Sequence, residues 1–325
     1  MNLFTAHLTG ITSQLLPVRA VRAGRTVTVT LGDGPVTNDP ESNRQRETRI
    51  RVKSALAAND TRVDVQVRSG KLHSASMDLA VAAAIYATEA GANDLPPTLF
   101  LGELALSGAV RPIRGVLPHL RVAKAQGIEH VLVPESQVRE AAGLDLKVHP
   151  IADVSALLDY LVEGPIQYIV PTLNALPYHD PHVDFADVRG LHDAVHACTL
   201  SAATGYPILF EGPQGAGSTL LARRLPTILP DATAEEVLEI RTVQSASGML
   251  GPDTHSARPF RAPHYTCSAA ALFGGGPQGH QVPGEISRAA KGGPVSRRPP
   301  FASGRRRPSP PAARAQAHPE ALPGP

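Results

Sequence analysis

Apolar positions recur every second residue in some stretches of the chain and with a helical period in others, and the two kinds alternate through residues 1–163. Val63, Val65 and Val67 alternate with polar residues, which predicts a half-buried strand. Ser76 to Ala90 is alanine-rich, with Leu79, Ala82, Ala83 and Tyr86 on one face, and predicts a helix. An earlier helix should open at Asp39-Pro40-Glu41, a cap, a first-turn proline and an acid, and run to about Ala58. Thr98 to Leu106 reads as a strand and Leu117 to Ala125 as a helix. His130 to Val133 is a strand closed by Pro134, Leu146 to Val148 another, and Asp153 to Leu161 a final amphipathic helix. Strands alternating with helices imply an α/β unit, a sheet covered by helices.

Residues 164–184 read as a linker, because Pro165, Pro171, Pro177 and Pro181 interrupt any regular element. A second unit starts near Phe185 and extends to 293. Leu191 to Ala203 is a helix; the apolar run Pro207 to Phe210 is a strand; a glycine-rich turn and a helix through Arg224 follow. Thr233-Ala234-Glu235-Glu236 is a capping box that opens a further helix to about Thr242. Gly274 to His280 reads as a flexible loop. Beyond Gly293 both periodicities stop, and the Pro-, Arg- and Ala-rich stretch 294–325 reads as disordered.

Composition changes this picture in three ways. Trp is absent and aromatics are 4%, so aliphatic side chains must fill the cores. Two cysteines, Cys198 and Cys267, are too few for a disulfide framework; with no membrane-length apolar run and no basic leader, the expected location is the cytoplasm. The net charge of +2 hides an asymmetry: eight of the 31 basic residues but one of the 29 acidic ones lie beyond Ser287. Such an end can hold nucleic acid without sequence preference, or be a basic segment with no partner.

The residues that carry chemistry are Gly212, Pro213, Gln214, Gly215, Ala216, Gly217, Ser218 and Thr219. A strand, a glycine turn and a helix are the layout of a nucleotide-phosphate loop, and Gly212, Gly217 and Thr219 occupy the places that G-x-x-x-x-G-K-[ST] assigns them. Backbone amides of 215–219 would converge on a phosphate, with the helix start adding positive potential. Thr219 would ligate Mg²⁺ through its hydroxyl. Ser218 stands where the pattern has lysine, and loss of one charge-assisted contact costs roughly 1.5–3 kcal/mol. A glycine turn joining strand to helix without any ligand is the alternative.

Five motifs in order then carry a resemblance. They are Asp187-Val188-Arg189-Gly190, the altered phosphate loop, Leu221 to Pro226, Arg258-Pro259-Phe260-Arg261-Ala262-Pro263-His264, and Gly274-Gly275-Gly276 followed by Pro283-Gly284-Glu285-Ile286-Ser287. Together they resemble the ComM/YifB family of magnesium-chelatase-like AAA+ ATPases. The resemblance implies ATP and Mg²⁺ as cofactors, a homo-oligomeric ring of six subunits, and DNA as partner, with branch migration during natural transformation as the role. It also places Arg258, Arg261 and His264 either against substrate or a neighbouring subunit, or as structural pins. Two departures count against turnover. One is Ser218. The other is the stretch after Ser287, where an apolar strand ending in Asp-Glu is expected and Arg288 to Arg298 stands instead; a frameshift or truncation is the hypothesis for it.

Residues 101–108, 110–115, 125–128 and 131–134 resemble the Lon proteolytic domain, which implies the fold of ribosomal protein S5 domain 2 for residues 1–163. The nucleophile would align with Ser74 and the lysine base with Leu117, so no peptidase is expected; Ser74 and Ser76 then read as a helix cap. His255, His264, Cys267 and His280 match no zinc spacing. Two readings stay open: a nucleotide-binding protein acting on DNA with impaired hydrolysis, and a non-catalytic interaction module.

Overall fold

The computed structural model describes residues 2–33, 42–57, 63–69, 73–91, 95–164, 168–169, 171, 183–213, 215–251, 258–264, 266–277 and 280–294. The cap expected at Asp39 to Glu41, residue Gln214 and the segment from 295 onward lie outside them.

β1 (Leu3–Thr9), β2 (Thr12–Ala23) and β3 (Thr26–Leu31) form an antiparallel meander, with turns at Gly10 and Gly24 in the left-handed region that glycine enters freely. α1 (Asn43–Ala57) is opened by Ser42: the Gln45 amide donates to Ser42 Oγ at 3.3 Å and the Ser42 amide to Gln45 Oε1 at 2.7 Å, a capping box. β4 (Asp64–Ser69) returns parallel to β3, burying Val65 and Val67. A 3₁₀ turn at Ala75–Met77 leads into α2 (Asp78–Ala90).

β5 (Thr98–Phe100) is shorter than the strand expected over 98–106. The reason is local. Gly102 leaves the ladder so that its amide donates to the Ser76 carbonyl at 3.0 Å and its carbonyl accepts from Leu79 at 3.1 Å. The chain resumes as a side hairpin, β6 (Glu103–Leu104) with β7 (Val110–Arg111). α3 (Val116–Ala125), β8 (His130–Pro134), β9 (Lys147–Ile151) and α4 (Val154–Glu163) complete the region; Asp153 caps α4 by accepting from Ala156 N–H at 3.0 Å.

The main sheet runs β4-β3-β2-β1-β5-β8-β9, and four of its six pairings are parallel. It is thus a mixed α/β sheet with helices on both faces, built from residues 3–151. α1, α2 and α4 pack over one face and α3 over the other. α2 is buried on all sides from Asp78 to Ala87, because α1 and α4 cover the face that looked free; its small alanine side chains let them approach.

The regular structure of the second region, 183–294, is mostly helical. It contains α5 (His192–Thr204), α6 (Ser218–Arg224), α7 (Ala234–Ala246), α8 (Ala269–Phe273) and α9 (Glu285–Arg288). Two-residue strands join distant parts: β10 (Phe260–Arg261) pairs with β13 (Gly293–Pro294), and β11 (Gly274–Gly275) with β12 (Val282–Pro283). The glycines at 274–275, expected in a flexible loop, are therefore held in a ladder. The strand expected at Pro207 to Phe210 does not form: among the described residues it has no ladder partner, and Leu209 is 71% exposed. An apolar run becomes a strand only where another strand accepts it.

Candidate functional site

The helix that follows the glycine loop, α6, packs on α5 and is tied to the Asp187-Val188-Arg189-Gly190 motif. On α6, Leu221 and Ala222 are buried, as are Cys198 and Ala202 on α5, the helix it packs against. Asp184 opens a 3₁₀ turn at Phe185–Asp187 by accepting from Ala186 N–H at 2.9 Å. Arg224, at the far end of α6, donates to the Asp184 carbonyl at 2.6 Å and to Asp187 Oδ2 at 3.2 Å. The motif's acidic residue therefore anchors the helix that the loop begins.

The loop itself is curled. Ala216 N–H donates to the Pro213 carbonyl at 3.1 Å, and a side chain at Gly212 would meet Ala216 Cβ at 3.0 Å. Gly215 and Gly217 have φ of 92° and 91°, a backbone that other residues adopt only under strain. Gly217 has a second reason to be glycine, since a Cβ there would lie 2.9 Å from Leu191 Cδ1. Gly217 is also the N-cap of α6, and the first intrahelical bond is Leu221 N–H to Gly217 C=O at 3.0 Å. The amides of Ser218, Thr219 and Leu220 precede that ladder and are open to an acceptor at the helix start. Ser218 and Thr219 are half-buried, and Glu211 and Arg223 are exposed. These features fit a phosphate group on the backbone side. On the side-chain side they fit it poorly, because position 218 brings a hydroxyl and no cation.

Arg258 and Arg261 are both engaged within the chain. Arg258 donates to the carbonyls of Pro230 at 2.6 Å, Lys291 at 2.7 Å and Asp231 at 3.3 Å, and pairs with Glu236 at 2.8 Å. Arg261 forms a two-pronged pair with Glu285, at 2.7 and 2.9 Å, and Arg288 joins the same carboxylate at 3.1 Å. The hydrogen bond from Arg261 is the main reason the Glu285 carboxyl sits below its ordinary range, and Arg258 acts likewise on Glu236. His264 is exposed, with Nδ1 2.6 Å from Thr266 Oγ1. Both arginines thus make intrachain contacts of the kind the structural-pin alternative requires, and the contact with substrate or a neighbouring subunit stays open beside it. Of the histidines weighed as ligands, His280 packs edge-on against His7 at 5.6 Å, and His255 lies outside the described residues. Among the described residues no three His, Cys, Asp or Glu side chains gather as a cation site.

In the first region, Leu117 is fully buried, and Lys124 donates its ammonium to the Leu144 carbonyl. Ser74 Oγ lies 2.6 Å from Ser76 Oγ and makes no capping bond, which corrects the reading of these serines as a helix cap. Their hydroxyls satisfy each other instead of the helix amides.

Residues 184–293 match the family model described as magnesium chelatase, subunit ChlI, and residues 28–137 the model described as subunit ChlI of Mg-chelatase. Competence protein ComM of Haemophilus influenzae is 31% identical over 261 residues, which is 76% of this chain and 51% of that protein. The chain belongs to the ComM/YifB family of magnesium-chelatase-like proteins. YifB of Escherichia coli is 30% identical over 257 residues, 76% of this chain and 50% of that protein. An uncharacterized protein of Mycobacterium tuberculosis is 38% identical over 221 residues, 66% of this chain and 43% of that protein. The chain thus spans about half the length of the curated relatives it matches.

Two groups of buried polar residues in this family member escaped the sequence reading. One is Asp78, with Arg51 Nε at 2.6 Å, Thr48 Oγ1 at 2.6 Å, and His73 bonded to Thr48 at 3.0 Å. The other joins Glu140 to Ser245 and Arg241. The available signal was a polar residue on an otherwise apolar face: Asp78 beside Leu79 to Ala84, and Arg241 between Ile240 and Val243.

Proposed function

We propose that this chain binds the phosphates of ATP on the amides of residues 215–219, with Thr219 as the Mg²⁺ ligand, and that it does so weakly and with little or no hydrolysis. The observation that carries the reading is the pair of left-handed glycines, Gly215 and Gly217, at the open start of α6. ATP brings the negative charge and Mg²⁺ screens it. The chain's residues hold and orient the phosphates, and Ser218 supplies no charge to the group that would be transferred. The family reading extends this to DNA as the partner, to a homo-oligomeric ring of six, to competence-type DNA processing in the cytoplasm, and to a Lon-like, S5-domain-2-like fold for residues 1–163 followed by a partial AAA+ unit. No helix among the described residues is long and apolar enough to cross a membrane.

A binding titration with labelled ATP, with and without Mg²⁺, tests the reading. Saturable Mg²⁺-dependent binding that Gly217→Val abolishes supports it. Binding that ignores both Mg²⁺ and Gly217→Val defeats it.

A second reading has its own observation. The run Pro207 to Phe210, which would carry the loop on a sheet, is unpaired among the described residues and exposes Leu209. A loop so mounted suits a non-catalytic interaction module. That reading predicts no ATP binding and full function of Gly217→Val in partner capture.

A further inference from the structure

α3 begins at Gly115, a left-handed residue (φ 82°) with no capping side chain. The first amides of a helix that starts in the interior need acceptors from elsewhere. Here they come chiefly from Ser245, 128 and 130 residues further along the chain, with Glu140 as a second acceptor. Gly115 N–H donates to the Ser245 carbonyl at 3.0 Å, and Leu117 N–H donates to Ser245 Oγ at 3.1 Å and to Glu140 Oε2 at 3.3 Å. The Ser245 hydroxyl donates a hydrogen bond to Glu140 Oε2 at 2.5 Å, and Gln137 donates to the other oxygen of that carboxylate at 2.7 Å. The cap of α3 is therefore a serine on α7.

One turn earlier, Arg241 is 6% exposed, and its guanidinium donates to the carbonyls of Arg139 at 2.9 Å and Ala142 at 3.3 Å. Those carbonyls close the 3₁₀ turn Glu135–Ala141. Leu238, Arg241 and Ser245 are spaced three and four apart, on one face of α7, and Leu238 packs on the core under α3. Arg121 of α3 reaches across to Thr242 at 3.1 Å and Glu235 at 3.1 Å. The opposite side of α7 carries Glu236 and Glu239, which pair with Arg258 and Lys291. One helix thus grips both the first region and the segment 258–291 of the second. A buried arginine and serine on such a face are costly unless partnered, so the face fits this one surface and rejects a purely apolar one.

We infer that α7 is a latch: Ser245, with Arg241 and Glu140, caps α3 from a distance and joins the first region to the segment 258–291 as one cooperative unit. Displacing α7 unseats the first turn of α3, so the first region and the segment 258–291 cannot reorient independently while the latch is closed.

Amide exchange read by mass spectrometry along a urea series on the full chain tests this. In the wild type, peptides covering 116–125 and 234–246 lose protection at the same urea concentration. In the Ser245→Ala, Arg241→Met double variant, the start of α3 exchanges at least tenfold faster and the two transitions separate. Ser245→Ala alone serves the same comparison if the double variant does not fold. Lys147→Gln, remote from α7, leaves the transitions together. Separate transitions in the wild type, or unchanged α3 exchange in the variants, overturns the inference.

Discussion

Asp78 shows what a single buried charge does in this molecule. It is fully enclosed, and burial pushes its carboxyl up to about 6 although Arg51 and Thr48 both favour the ionised form. Removing one partner of such a pair leaves the other uncompensated, which costs about 3–5 kcal/mol. Asp78→Ala is therefore expected to lose stability on that scale in a urea titration, whereas Arg51→Met combined with Asp78→Leu should recover much of it. Gly217 is the corresponding residue in the second region. Its left-handed backbone and its contact with Leu191 predict a loss of about 1–2 kcal/mol for Gly217→Ala, measured by thermal unfolding. The glycine spacing of the loop was readable from the chain alone. Asp78's burial was not, because a polar residue at the start of a helix reads equally well as a solvated first-turn acid.

Elements separate into those set by local chemistry and those set by neighbours. α7 opens with the capping box of Thr233 and Glu236 foreseen from the sequence, the Glu236 amide donating to Thr233 Oγ1 at 3.3 Å. Thr233→Ala should cost about 1 kcal/mol. Glu236→Ala should cost more, since that carboxylate also holds Arg258; comparing the two melting curves checks the order. The helices α2, α3 and α4 carry their own period and were legible. The meander β1 to β3 went unread, although Val27, Val29 and Leu31 alternate with threonines in the pattern that had identified β4. The strand expected at Pro207 to Phe210 failed for the opposite reason. Its pattern is correct, but a strand is a property of a ladder, and nothing among the described residues supplies the other side.

At the scale of the whole molecule, buried histidines set the response to acid. Burial lowers His73 to about 4 and His119 to about 3, so both are neutral in the fold and take up protons more readily when it opens. Their contribution is complete above the ordinary histidine value near 6.5 and is lost as pH falls toward those lowered values. Asp78 works the other way, with its contribution present at low pH and lost as pH rises to about 6. Glu140, raised by burial, sides with Asp78, while His130 and His280, lowered by burial, and Glu129, Glu236 and Glu285, lowered by their basic partners, side with the two histidines, so the urea midpoint is expected to fall from pH 7 to pH 4. His119→Gln, which keeps a partner for Ser13, should flatten that slope; an unchanged slope would remove His119 from the account. The α7 latch adds that α3 and α7 should share one pH midpoint of unfolding.

The most direct test of the central claim is the ratio of Mg-ATP dissociation constants for the wild type and Ser218→Lys, measured by calorimetry at one salt concentration. If residues 212–219 form a phosphate cradle that lacks only its cation, restoring the ammonium tightens binding by about tenfold to a hundredfold, the equivalent of roughly 1.5–3 kcal/mol. Equal constants, or no binding by either protein, would contradict the account.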